Sequence, residues 1–292
     1  MVPVRPGISW FVKLLMLCCV AMVMLFFLSM LLFAMYGKSI TSLNGAVTST
    51  VLQNLLMFIM PVYVLAIYNK NLELCPKKET FWMSRGPSLK SILVVVLVWV
   101  TSLPSMNYLV ELNQSIHLPD SMKALEQLMR QMEESAQKIT SLLLDAQSWP
   151  MMLAMLLVVG VLPAVGEEIF FRAGMLGTMR HGRVNKHVAV WVMAFIFSAI
   201  HLQFYGFVPR LLLGAWLGYL MVWRGEVWTP IIAHALNNGS IVVVSFLASK
   251  GMISENWLEH LGAGNPLFAF LSINATVIVM ILLMRDKKDK QA

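Results

Sequence analysis

Charge is scarce in this sequence. Only 13% of its 292 residues are Asp, Glu, Lys or Arg, against 58% hydrophobic. A soluble domain is usually nearer a quarter charged, so a water-soluble globular fold is excluded. Cysteine is rarer still. Cys18, Cys19 and Cys75 are the only three, and at those positions they form neither a disulfide framework nor a zinc knuckle. Cys18 and Cys19 lie in an apolar run, where packing is their expected role. Apolar and polar positions do not alternate, which removes an outer-membrane barrel. No internal repeat or low-complexity stretch is present, and no HExxH occurs. The net charge of +7 comes without any nucleic-acid-binding motif, so nucleic acid is not an expected partner.

What the chain has instead is long apolar blocks. A bilayer span needs about 20 mostly apolar residues. Eight spans are expected, at 11–36, 46–68, 90–110, 150–176, 186–204, 208–224, 227–249 and 265–284. The fold class is therefore all-α, a polytopic membrane protein of about eight transmembrane helices in one membrane domain. The first block is too long for the apolar region of a cleaved signal and reads as a retained span. The basic residues gather in alternate connections: Arg5 and Lys13; Lys70, Lys77, Lys78, Arg85 and Lys90; Arg180, Arg183 and Lys186; Arg224; and Arg285, Lys287, Lys288 and Lys290. The positive-inside rule then puts both termini in the cytoplasm of a multi-pass cell-membrane protein.

The largest connection on the opposite side, 111–145, is acidic on balance. Pro119-Asp120-Ser121 marks a helix start. Met122, Leu125, Leu128, Met129, Met132, Ile139, Leu142 and Leu143 then recur mostly at spacings of three and four, the mark of an amphipathic helix. Such a helix could lie on the membrane or cap the bundle. It could also be a lid or a docking element for substrate.

Ionisable groups inside a span cost a few kcal/mol each on insertion scales, so they call for a reason. In Gly166-Glu-Glu-Ile-Phe-Phe-Arg172, Glu168 and Arg172 are four apart, share a helix face and can pair. Glu167 is rotated by about 100°, points elsewhere and has no such arginine. A carboxylate in an apolar wall suits general acid or base work. Phe197-Ser-Ala-Ile-His201 falls in the fifth span. His234-Ala-Leu-Asn-Asn238 falls in the seventh, with His234 and Asn238 on one face, able to donate to one ligand atom. Each signal alone is weak. Three spans carrying a carboxylate, two histidines and an amide are hard to explain by packing.

The order EExxxR, FxxxH, HxxxN, here Glu167-Glu168-x-x-x-Arg172, Phe197-x-x-x-His201 and His234-x-x-x-Asn238, resembles the CPBP (CAAX-protease and bacteriocin-processing, or Abi) family of intramembrane endopeptidases. The resemblance covers about 150–245. It implies an eight-helix membrane peptidase with its active site on helices 4, 5 and 7. Glu167 and His201 would activate the attacking water, and His234 and Asn238 would stabilise the oxyanion. Glu168 and Arg172 would be supporting partners that orient the site. On this view 1–149 holds the first three spans and the amphipathic helix, 150–249 the catalytic core of helices 4–7, and 250–292 the last span and a basic tail.

The resemblance implies either no cofactor or a divalent metal such as zinc. Glu167, His201 and His234 could supply three ligands and leave a position for water. The donor pair His234 and Asn238 favours the metal-free alternative. The expected partners are a peptide or protein substrate, prenylated or not, and the lipid bilayer. Two other readings compete. One is a catalytically silent binding or immunity protein of the same fold. The other is a metal or proton transporter, although the paired repeats and broken helices common in transporters are not evident. One geometric tension stands. With these limits His201 falls about 10 Å beyond the midpoint of its span, whereas Glu167 and His234 fall on the cytoplasmic half. A shared site needs a tilted fifth helix, shifted limits or a deep cavity.

Overall fold

The computed structural model describes residues 9–37, 41–69, 83, 86–254 and 261–285. Cys75 and the basic residues Arg5, Lys70, Lys77, Lys78, Arg85, Lys287, Lys288 and Lys290 lie outside the described residues. Those described form helices and no strand. In chain order the helices are α1 (Trp10–Tyr36), α2 (Leu43–Tyr68), α3 (Leu89–Gln114), α4 (Lys123–Leu144), α5 (Trp149–His181), α6 (Lys186–Ala199), α7 (Phe207–Arg224), α8 (Trp228–Ser249) and α9 (Pro266–Arg285). Helices α1, α2, α3, α5, α7 and α8 are long and apolar enough to cross a membrane. Two shorter apolar helices, α6 and the stretch Pro266–Ile281 of α9, stand where the fifth and eighth spans are expected. The protein is thus an all-α polytopic membrane protein.

Polar residues start the helices. Ser9, Ser42, Ser88 and Ser148 each accept a hydrogen bond from a backbone N–H of the first turn of α1, α2, α3 and α5. Asn185 does the same for α6. Each cap satisfies a donor that the helix cannot satisfy itself. Pro104 interrupts α3, and α9 repairs the break. Ser105 N–H donates to Ser272 Oγ, which in turn donates to the Thr101 carbonyl. A side chain of one helix is thereby spliced into the backbone ladder of another, as polar groups freed in an apolar medium require.

The second half of α5 is the axis of the bundle. From Glu168 to Met179 every residue is buried. Phe171, Met175 and Leu176 pack against Leu17 of α1, Phe58 and Val62 of α2, and Ala189, Met193 and Phe197 of α6. Two stretches of α5, Leu156–Val161 and Ile169–Leu176, are wound as π-helix, as is Asn54–Ile59 of α2. Helix α8 crosses α5 where two glycines meet. A Cβ on Gly160 would lie 3.1 Å from Gly239 Cα, tighter than an ordinary contact, so glycine at 160 eases this approach.

The amphipathic α4 closes the end of the bundle where α2 and α5 begin and α8 ends. Leu143 is buried with Ala46, Met152, Val242 and Phe246. Its apolar stripe is split. Met129, Met132 and Leu142 face the protein, whereas Met122, Leu125, Leu128 and Ile139 are exposed.

Candidate active site

Glu168 is the hub. It is fully buried, and its Oε1 accepts Arg172 Nη1–H at 2.7 Å and His234 Nδ1–H at 2.7 Å. A carboxylate held by arginine only accepts, so His234 is the donor and its Nδ1 carries a proton. Arg172, also fully buried, donates a second bond to the Gly214 carbonyl of α7 at 3.1 Å and lies over the Phe197 ring at 4.8 Å. The charges of Glu168 and Arg172 cancel within one helix turn, which is how a low-dielectric interior tolerates both. The expected i, i+4 pair is present. It ties α5 to α7 and α8 as well as bracing itself.

Glu167 reaches the other side of the same imidazole. Its Oε2 lies 3.9 Å from His234 Nε2 and is buried without a hydrogen-bond partner. The two adjacent carboxylates therefore flank opposite ring nitrogens of one histidine. Glu167 stays apart from Arg172, as the rotation between neighbouring positions requires. Asn238 follows one turn beyond His234 on α8, and its Oδ1 accepts from Asn237 Nδ2 at 3.2 Å.

His201 is placed differently from the sequence expectation. Helix α6 ends at Ala199, and His201 sits in the turn that follows, before Leu202 at φ 54°. Apolar residues continue past the helix end, so hydropathy alone extends the span to 204. The early end leaves His201 past the far end of the helix rather than nearer its middle. His201 Nδ1–H donates to the Phe197 carbonyl at 2.7 Å, which leaves Nε2 with its lone pair free to accept. The Phe197 ring stands 5.1 Å from that of His201 and 6.0 Å from that of His234. One phenylalanine thus separates the two histidines and carries Arg172 on its face.

The turn is held from outside. Asn113 of α3 donates to the Phe204 carbonyl at 2.8 Å and accepts Val208 N–H at 3.1 Å. Arg210 of α7 donates to the Gln203 side-chain oxygen at 2.9 Å, and Gln203 donates to Glu133 of α4 at 3.2 Å. Arg130 of α4 lies over Tyr205 at 4.7 Å. None of these was singled out from the sequence. Arg210 did leave a signal there, a charge at the start of an expected span. The glycine carbonyl that receives Arg172 left none.

The trio Glu167, His201 and His234 does not come together as metal ligands. Among the described residues no three of His, Cys, Asp and Glu are grouped closely enough to hold an ion. His234 Nδ1 donates to Glu168 and His201 Nδ1 to Phe197, so Nε2 is the ring atom each would have left for an ion, the orientation that ligating imidazoles also take. The three side chains are not gathered around one point in this structure.

Neither the curated proteins nor the solved structures offer a match to this chain. A family model does match, and the resemblance drawn from the motifs is borne out over its length. The stretches 1–148 and 241–292 lie outside it. Residues 149–240, which carry Glu167, Glu168, Arg172, His201, His234 and Asn238, match the Rce1-like family, described as type II CAAX prenyl endopeptidase.

Proposed function

We propose that this chain is a membrane-embedded endopeptidase that hydrolyses a peptide bond in a small peptide precursor or in a membrane or lipidated protein. The observation that carries the reading is the imidazole of His234 between two carboxylates, one hydrogen-bonded to it and locked to a buried arginine, the other 3.9 Å away with a buried oxygen that has no hydrogen bond. A merely structural ion pair needs Glu168 and Arg172 but gives no reason for Glu167.

Glu167 is the base. It takes a proton from water as the water oxygen adds to the peptide carbonyl. The free Nε2 of His201 accepts from the same water and aligns it. The carbonyl oxygen becomes an oxyanion, and His234 and the Asn238 amide donate to it. Glu168 fixes His234 through Nδ1. In its doubly protonated form His234 therefore presents Nε2–H at a set angle, and donors fixed before the charge develops are worth most. The C–N bond then breaks, and the proton on Glu167 passes to the leaving nitrogen. Asn238 comes into play with the oxyanion through its NH2, the Oδ1 being engaged by Asn237.

The loop charges support a cytoplasmic position for both termini.

The test compares peptides released by cells making wild-type protein with those from cells making Glu167→Gln, matched for membrane abundance. A peptide or new terminus that disappears only with Glu167→Gln is the expected result. Identical profiles, with the variant still rescuing a deletion, would overturn the peptidase reading and leave a silent binding protein.

A further inference from the structure

We propose that Arg210 is a specificity residue that receives a carboxylate of the substrate beside the reacting peptide bond. This rests on the peptidase reading and deepens it.

Arg210 lies in the first turn of α7, and its side chain folds back over the turn that carries His201. Nη2 donates to Gln203 Oε1 at 2.9 Å, and Nη1 points at the Gln203 carbonyl at 3.4 Å. The guanidinium is half-buried. Gln203 is two residues past His201, so the guanidinium sits beside the turn that carries this histidine. Among the described residues it forms no ion pair with a carboxylate, whereas Arg172 and Arg130 each have one. Its nearest acidic neighbour in this network is Glu133, and Gln203 stands between them, donating to Glu133 and accepting from Arg210. Glu133 keeps one carboxylate oxygen buried and unpartnered.

This is an unusual place to leave a cation. Arginine in a poorly solvated position is normally neutralised by contact. Here the groups in contact with it are a neutral amide and a backbone carbonyl, and the Glu133 carboxylate stands one side chain further off. A guanidinium has five N–H donors in a flat fork that matches a carboxylate, and Gln203 engages only the two terminal nitrogens, from one side. An anion arriving with the substrate would complete the fork. A peptide offers two sources, its C-terminal carboxylate and an Asp or Glu side chain. Either would be drawn to the turn that carries His201.

The experiment uses full-length protein in detergent and fluorescein-labelled pools of short apolar peptides. One pool ends in a free carboxylate, one in an amide, and one in an amide with a single internal Glu. Binding is measured on Glu167→Gln protein, so that chemistry does not intervene. The first or the third pool should bind about tenfold tighter than the second, a difference of about 1.4 kcal/mol. Preference for the first identifies the terminal carboxylate, and preference for the third an acidic side chain. Adding Arg210→Gln should bring the ratio close to one. Adding Arg210→Lys should keep part of it. Equal binding of all pools, or a ratio that survives Arg210→Gln, overturns the proposal. If Arg210→Gln fails to fold, Gln203→Ala removes the tether. The ratio should then fall severalfold, and an unchanged ratio is equally fatal. Cleavage of the same pools by wild-type protein is scored separately. A binding preference without cleavage would keep the carboxylate site and remove the peptidase reading. Cleavage without preference would do the reverse.

Discussion

Replacing Glu168 by Leu should damage the protein more than replacing Glu168 and Arg172 together. Glu168→Leu leaves the Arg172 guanidinium fully buried with only the Gly214 carbonyl and the Phe197 face as partners. Removing one member of a buried pair costs about 3–5 kcal/mol. It also orphans His234 Nδ1–H, a further loss of about 1–3 kcal/mol. In the double variant Glu168→Leu, Arg172→Leu the uncompensated charge is gone and the second cost alone remains. The wild-type pair is itself imperfect, since Arg172 Nε and Glu168 Oε2 have no partner. That makes an apolar replacement better tolerated. The double variant should therefore recover about 3 kcal/mol over the single one, on the order of 10 °C in melting midpoint. The assay is thermal unfolding of purified protein in detergent, read by tryptophan fluorescence, with Arg172→Leu completing the cycle. Both variants should be inactive because His234 has lost its anchor. A double variant that melts below Glu168→Leu would refute the charge argument.

Three further outcomes are expected. Asn238→Ala should lower kcat about 10²-fold with little change in melting midpoint, as loss of one oxyanion donor does; a change confined to KM would remove Asn238 from that role. Gly160→Leu should push α5 and α8 apart at their crossing and cost activity as well as stability. Gly225→Ala, outside that contact, should leave activity intact, and the two are compared by cleavage rate per folded molecule. The last concerns α4. Arg130 first, then the Leu118 backbone N–H and the His117 ring, hold the Glu126 carboxyl below its usual range. A lowered carboxyl stabilises the fold above its unfolded pKa and loses that contribution as pH falls through the folded one. The start of α4 should thus loosen only below about pH 4, seen as faster proteolysis of 117–130, and Glu126→Gln should abolish the step.

The apolar blocks were legible because hydrocarbon admits few alternatives to a long helix. Glu168 and Arg172 were legible for a local reason, since four residues make a shared face. That one carboxylate would also hold His234, 66 positions away, depends on how α8 crosses α5, and no local pattern encodes a crossing. The end of α6 was hidden for a similar reason. Ile200 and Leu202 continue its hydropathy, while the bonds that fix the turn come from Asn113 and Arg210 on other helices. The π-wound stretches of α5 carry no composition of their own. The split stripe of α4 shows the limit of periodicity, which finds the apolar residues of a helix without saying which of them the protein covers.

The shortness of α6 bears on how water reaches the turn that carries His201. Its 14 residues extend about 21 Å at the usual rise, against a hydrocarbon core of about 30 Å. A helix of that length laid across the bilayer falls short at one end, and thinning of the bilayer towards the protein is one way the deficit is met. If the His201 end is the short one, headgroups and the water among them are drawn down to the turn. The site then needs no long aqueous pore, because the solvent boundary itself comes to it.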